Sequence, residues 1–166
     1  MRRFVIGGPL GFFVISVVLA ACGGSSTVSG GGQNQRFADM WKIDQIEKDF
    51  HQSTSLKDIE LMLSLYAPNA TFTVGGGETA VGLDEIRAFW TEKSPVFEPT
   101  NKWISDHPAY KMKITVNGDR GTLHFECHFV DAETAKVAAV TAADADVARI
   151  EGQWLMTNFV GGTTEL

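Results

Sequence analysis

The segment LHFECHF, residues 123–129, places His124, Glu126 and His128 at every second position. Side chains alternate between the two faces of a β-strand, so these three residues would share one face. Imidazole and carboxylate groups are common Zn²⁺ ligands, but residues four apart on a strand lie about 13 Å apart at 3.3 Å per residue. The two histidines could not bind one ion, and we predict no metal site here. The opposite face would be buried and consists of Leu123, Phe125, Cys127 and Phe129.

Two carboxylates, Asp144 and Asp146, alternate in the segment TAADADVARIEG. If both faced an apolar pocket, their pKa values would be raised, one more than the other, as an acid–base pair requires. The alternative is the solvated rim of a hairpin, since Asp is depleted inside strands and is usually exposed. Both interpretations stay open, with Asp146 as the candidate acid or base.

His107 lies beside Pro108 in ISDHPAY, at the start of a predicted strand. A histidine near a pocket mouth could act as a general base at neutral pH, whereas a histidine in a strand-entry loop would only be solvated. His107 is therefore the second candidate catalytic residue. Aromatic residues at element spacing usually pack in a core or form a pocket wall. The candidate ligand-binding residues are Phe50, Tyr66, Trp90, Trp103 and Trp154.

The amino terminus reads MRRFVIGGPLGFFVISVVLAAC: two arginines, an apolar run and then small residues. This layout is typical of a secretory signal peptide. Its end, Leu19-Ala20-Ala21-Cys22, resembles the lipobox of bacterial lipoproteins, in which the cysteine is acylated after cleavage. Two or more acyl chains make a stable anchor. We predict a signal peptide at residues 1–21 and a lipid-modified Cys22 that holds the protein on the extracytoplasmic side of the cell membrane.

The charge of the remaining chain argues against a nucleic-acid partner. Loss of Arg2 and Arg3 with the signal reduces the 14 Lys and Arg to 12, against 20 Asp and Glu, a net charge of −8. Such a domain does not attract polyanions. No cofactor is predicted. With Cys22 acylated, Cys127 is the one remaining thiol, so no internal disulfide can form.

Composition divides the mature chain into a tether and one domain. Residues 22–35 are rich in Gly and Ser and predict a flexible coil. Residues 36–166 are enough for one domain and too few for two. Hydrophobic spacing predicts a first helix with an apolar side made of Phe37, Met40, Trp41, Ile43 and Phe50.

Further elements follow from caps and turns. Ser55 and Asp58 fit a capping box that would open a second helix, from Leu56 to about Tyr66. A third helix is predicted from about Asp84 to Glu92. Alternation and turn residues predict strands at 70–74, 103–116, 121–131, 136–150 and 153–160.

Three segments carry a family resemblance: DIELMLSLYAPNATFTV (58–74), GLDEIRAFW (82–90) and ARIEGQWLMTNFV (148–160). They resemble the SnoaL-like branch of the NTF2-like superfamily. The resemblance implies an α+β fold, a cone in which a curved antiparallel sheet carries three helices on its concave face and encloses a pocket. It also implies a homodimer across the sheet in many members.

Members include ketosteroid isomerases, polyketide cyclases, dehydratases and non-catalytic binding modules, so the fold does not settle the function. When the chain is aligned on Tyr66–Thr71, the isomerases' tyrosine falls on Phe50 and their base on Val74, and neither residue can move a proton. Their third site residue falls at or near Asp146. Two functions stay open: binding of a small hydrophobic molecule without catalysis, or a cyclase, isomerase or dehydratase reaction that uses Asp146.

Overall fold

The computed structural model describes residues 30–106 and 111–163. The predictions for Cys22 and His107 lie outside these residues. Three α-helices are present: α1 (Gly30–Leu56), α2 (Ile59–Ser64) and α3 (Leu83–Ala88). A π-helical turn, Phe89–Lys93, continues α3. None of the helices in residues 30–106 and 111–163 contains an apolar stretch that could span a lipid bilayer.

Seven strands form one sheet. Their order across the sheet is β2-β1-β7-β6-β5-β3, and β4 pairs with the same strand as β3. The strands are β1 (Tyr66–Val74), β2 (Ala80–Val81), β3 (Trp103–Asp106), β4 (Lys113–Asn117), β5 (Arg120–Asp131), β6 (Lys136–Ile150) and β7 (Gln153–Thr163).

The sheet is mixed, which corrects the expectation of a purely antiparallel one. Strand β1 runs parallel to β7, with Phe72 opposite Phe159, whereas the other pairs are antiparallel. The parallel pair is possible because the chain between β1 and β7 is long enough to return to the same end of the sheet. The α+β class with three helices against a curved sheet is confirmed.

The predicted strand 103–116 is two strands, β3 and β4, on one edge of β5. Asp106 pairs with His128 and Lys113 with His124. The seven-residue advance from Asp106 to Lys113 therefore corresponds to only four residues of β5, from His128 to His124. Residues 103–116 consequently cannot pair with β5 as one continuous strand. The hairpin from β4 to β5 is as expected, since Gly118 adopts φ +61° in its two-residue loop.

The first helix is longer than predicted, in both directions. Gly30–Leu56 is helical, so residues 30–35 of the predicted coil belong to α1. Ser55 does not cap α2. The cap is Asp58, whose side chain accepts a hydrogen bond from the Leu61 N–H at 3.0 Å, while Ser55 Oγ accepts the Ser105 N–H at 2.8 Å.

The buried side of α1 also differs from the predicted one. Phe37 and Trp41 are 59% and 63% exposed, whereas Asp39 and Glu47 are buried. The buried side of α1 therefore consists of residues four apart, which lie on one side of a helix. These are Asp39, Ile43, Glu47 and His51, together with Ile46 and Phe50.

Candidate functional site

An apolar cavity of about 140 Å³ lies between the inner face of the sheet and the π-helical turn. Helix α1 contributes Phe50, the turn contributes Trp90, and the inner face contributes side chains of β5, β6 and β7. Phe50 contacts two other aromatic residues of the wall. Its ring packs edge-on against Trp90, with 5.6 Å between ring centres, and stacks on Phe159, with 5.8 Å between ring centres. Further wall residues are Val74, Val96, Cys127, Phe129, Thr141 and Ala143.

The inner face of β5 is the one expected from LHFECHF. Leu123, Phe125, Cys127 and Phe129 are all buried, which confirms the predicted alternation. On the neighbouring strand, Cys127 is opposite Thr141, and burial raises the pKa of this thiol despite a hydrogen bond to the Thr141 side chain.

The rim of the cavity is formed by the π-helical turn and the end of β7. Lys93 and Pro95 line the cavity and are exposed. Gly161 and Gly162, near the end of β7, also line the cavity. A Cβ atom at Gly161 would lie 2.8 Å from the Phe159 ring and 3.4 Å from a Val74 methyl group, so the backbone approaches this wall as only glycine allows.

The candidate ligand-binding residues divide into two groups. Phe50 and Trp90 line the cavity. Tyr66 is buried behind it, Trp103 packs against Phe129 at 6.0 Å, and Trp154 donates a hydrogen bond to Asp39 at 3.2 Å. These three aromatic residues are not among those that line the cavity.

Asp146 and Asp144 lie on the outer face of β6 and are exposed, whereas Ala143, Ala145 and Val147 between and beside them are buried. Their carboxylates thus point away from the cavity, as in the solvated interpretation. Asp146 accepts a hydrogen bond from Asn158 Nδ2 at 3.3 Å, and Asp144 lies 2.8 Å from His124 Nδ1. An acid or base role for Asp146 would concern a ligand on the outer face.

His124, Glu126 and His128 also occupy the outer face of β5. Glu126 is 3.1 Å from Lys111 Nζ and 3.4 Å from His128 Nε2. The hydrogen bond from Lys111 lowers the pKa of Glu126. Within residues 30–106 and 111–163, no three His, Cys, Asp or Glu side chains are grouped to hold a metal ion.

A buried polar group behind Cys127 was missed by the sequence analysis. Glu47, fully buried, has Oε1 2.7 Å from His51 Nε2. His51 Nδ1 is 2.5 Å from Ser105 Oγ, and its Nε2 is 3.9 Å from Cys127 Sγ. The spacing of Glu47 and His51 on one side of α1 was the available signal, but charged residues on a helix are usually exposed.

This group does not activate a nucleophile. A reactive cysteine needs a lowered pKa, whereas burial, reinforced by the nearby Glu47 charge, raises the pKa of Cys127. The same His51 nitrogen faces both Glu47 and the thiol, so the relay of nucleophile, base and orienting acid is not formed.

A second buried polar contact joins α1 to the sheet. Asp39 accepts hydrogen bonds from Arg149 Nη2 at 2.6 Å, from Trp154 Nε1 at 3.2 Å and from Gln35 Nε2 at 3.0 Å. Burial alone would raise the pKa of Asp39, but these hydrogen bonds outweigh it and leave the pKa below 3.8. This cluster positions α1, and none of its four residues lines the cavity.

The fold is shared with several solved structures. An NTF2-like protein with a cystatin-like fold from Novosphingobium aromaticivorans aligns with a TM-score of 0.73 at 16% identity, over 86% of this chain and 93% of that one. A protein of unknown function from Nostoc punctiforme has a TM-score of 0.66 at 18% identity, over 76% and 92%. An NTF2-like protein from Streptomyces avermitilis, provisionally assigned as a dehydratase, has a TM-score of 0.61 at 13% identity, over 78% and 98%.

At these identities the structural likeness establishes the fold alone. A comparison of the sequence with curated proteins finds no match. The sequence profile of the SnoaL-like domain matches residues 35–160, which is most of the chain and includes the residues that line the cavity except Gly161 and Gly162. The chain therefore belongs to the SnoaL-like domain family, within the NTF2-like fold.

Proposed function

We propose that this protein binds a small hydrophobic molecule in the interior cavity and holds it without chemical turnover. The observation that carries the proposal is the wall itself, which is formed mainly by aromatic and aliphatic side chains and encloses about 140 Å³. An engineered apolar cavity of about 150 Å³ in another protein stays dry and binds benzene. The ligand class is therefore a single ring or a short alkyl chain.

The enzyme alternative, with Asp146 as acid or base, has weaker support. The two positions where isomerases of this superfamily place a tyrosine and a base, Phe50 and Val74, both line the cavity but are apolar. The described cavity wall has Lys93 and Cys127 as its ionisable side chains. Proton transfer requires a positioned base within hydrogen-bond reach of the substrate, and Asp146 faces the other side of the sheet.

Toluene binding to the purified protein tests the cavity. Saturating toluene should raise the melting temperature, because a ligand that binds only the folded state stabilises it, and should change the fluorescence of Trp90 in the wall. Ala143→Leu, which fills the cavity from β6, should abolish both effects. Ala138→Leu, an equivalent change at an exposed position of the same strand, should preserve them; no toluene effect in the unmodified protein would refute the proposal.

We further propose that acylated Cys22 anchors the protein to the extracytoplasmic side of the cell membrane. Support comes from the exposed aromatic side chains of Phe37 and Trp41 near the amino-terminal end of α1, with Lys48 Nζ 4.7 Å from the Trp41 ring centre. Trp is enriched where membranes meet water, and lysine reaches toward the headgroups. These residues follow the predicted anchor closely in sequence.

Intact mass and cell fractionation test the anchor. The protein purified from cell membranes should carry acyl mass, and Cys22→Ser should lose that mass and leave the membrane fraction. Cys127→Ser is the matched control and should remain in the membrane. A Cys22→Ser protein that fractionates normally would contradict the anchor without bearing on the cavity.

The outer face of the sheet is the proposed homodimer surface. It presents Lys113 and His124 beside the carboxylates of Asp144 and Asp146 around one shallow depression. Residues of opposite charge can pair across a twofold axis, where each subunit offers the same patch. Native mass spectrometry should give a dimer mass, and Val160→Asp, at a 49% exposed position beside the depression, should give a monomer; a monomeric unmodified protein would refute the dimer.

A further inference from the structure

Two polar side chains follow each other in sequence at the rim of the cavity. Lys93 ends the π-helical turn and is exposed, and Ser94 comes next and is 7% exposed. Both line the cavity. Within the described residues, Lys93 forms no ion pair and the Ser94 hydroxyl forms no hydrogen bond. A cation and a hydroxyl donor are thus available at the opening.

No anionic side chain of the described cavity lining competes with a ligand for Lys93 and Ser94. No carboxylate is among the described residues that line the cavity. Glu92, the exposed neighbour of Lys93, is not a lining residue. The Ser94 hydroxyl can donate a hydrogen bond to a ligand acceptor, and the ammonium group of the neighbouring Lys93 favours an anionic acceptor.

From this geometry we propose that the cavity selects a small hydrophobic carboxylate: an aromatic or short aliphatic acid whose apolar part fills the cavity and whose carboxylate meets Lys93 and Ser94 at the rim. The inference rests on the proposed function, since it names the ligand class of the same cavity. The apolar part would contact Phe50, Trp90 and Phe159. The carboxylate would accept the Ser94 O–H and lie against the Lys93 ammonium.

Benzoate and benzamide form a matched probe pair, because they have nearly the same shape and differ in charge. We expect benzoate to bind the purified protein about fivefold more tightly than benzamide at pH 7 and low salt, the factor that one exposed ion pair supplies. Raising the salt concentration should reduce this preference, because the ammonium is exposed and screened. Isothermal titration calorimetry measures both affinities.

Substitutions of Lys93 and Ser94 test whether these two residues cause the preference for benzoate over benzamide. Lys93→Gln should remove the preference for benzoate while leaving benzamide and toluene affinity within about twofold, and Ser94→Ala should weaken benzoate binding more than toluene binding. Lys136→Gln, at an exposed lysine that does not line the cavity, should leave the preference unchanged.

The outcomes separate this inference from the proposed function. Equal binding of benzoate and benzamide, or a preference that persists in Lys93→Gln, would overturn the carboxylate assignment while toluene binding still supported a ligand cavity. Failure of toluene, benzamide and benzoate alike would overturn the proposed function, and the carboxylate assignment with it.

Discussion

Glu47 and His51 lie one turn apart on α1 and form a buried pair, with 2.7 Å between Glu47 Oε1 and His51 Nε2. The other imidazole nitrogen is 2.5 Å from Ser105 Oγ on β3. The pair therefore links the helix to the edge of the sheet directly behind the cavity wall at Cys127. A charged side chain with no exposure is tolerated only where such partners are fixed in place.

Removal of the Glu47 carboxylate should destabilise the protein strongly. Breaking a buried pair by deleting one partner costs about 3–5 kcal/mol, so we expect Glu47→Ala to lower the free energy of unfolding in urea by that amount. Glu47→Gln should cost less, since the amide retains the volume and can still hydrogen bond. Asp44→Ala, which breaks the partly exposed pair with Lys48, should cost less, about 1 kcal/mol; a Glu47→Ala loss that small would contradict the role of the buried pair.

The Asp39 cluster should make part of the stability depend on pH. The folded pKa of Asp39 lies below its ordinary 3.8, so the unfolded chain takes up a proton first as pH falls. The stabilisation is complete above about pH 4 and is lost as pH falls through the folded pKa. Asp39→Asn should therefore lower the free energy of unfolding by about 1–3 kcal/mol at pH 6.

Urea unfolding of both proteins across pH 3 to 6 measures this dependence. The difference in unfolding free energy between the unmodified protein and Asp39→Asn should shrink below about pH 4. A difference that stayed constant would show that the carboxylate charge contributes nothing beyond packing.

Helices and strands were predictable from the sequence where the apolar residues that set the hydrophobic period are also the buried ones. LHFECHF alternates, and its apolar side is the buried side, because an antiparallel strand with one face on a core needs that pattern. In α1, by contrast, the apolar residues Phe37 and Trp41 are exposed while Asp39 is buried. The spacing of apolar residues predicts that a segment is helical, but it does not always predict which side of the helix is buried. It fails where a buried polar residue has a partner on a distant strand, as Asp39 has in Arg149.

The cavity was predictable only through the resemblance. The alignment placed Phe50 and Val74 at the tyrosine and base positions of the isomerases, and both residues line the cavity. Lys93 and Ser94 could not be identified because their place depends on the π-helical turn, an insertion in the helix that hydrophobic spacing does not reveal.

Cys127 should react slowly with thiol reagents. Burial raises the pKa of its thiol, and the reactive species is the thiolate. In a Cys22→Ser background, modification by methyl methanethiosulfonate should be at least about a hundredfold slower in the folded protein than in urea, because access requires local opening. Saturating toluene should slow it further, since Cys127 lines the cavity; rapid modification of the folded protein would contradict the burial.

Asp146 should be dispensable for binding in the cavity. Its carboxylate lies on the outer face of the sheet, so Asp146→Asn should leave toluene and benzoate affinity unchanged and alter the free energy of unfolding by less than about 0.5 kcal/mol. Calorimetry and urea unfolding measure the two quantities. A large loss of affinity would place Asp146 in contact with the ligand and favour the enzyme alternative.

The two glycines at the end of β7 should respond oppositely to a methyl group. A Cβ at Gly161 would lie 2.8 Å from the Phe159 ring, whereas one at Gly162 meets nothing within 4 Å. Overpacking of this kind costs about 1–3 kcal/mol, so Gly161→Ala should lower the free energy of unfolding and disturb toluene binding through the displaced Phe159 ring. Gly162→Ala should be neutral or stabilise by about 0.4–1 kcal/mol, since alanine restricts the unfolded chain. Urea unfolding and toluene titration of both variants check this, and equal effects at the two positions would contradict the close approach at Gly161.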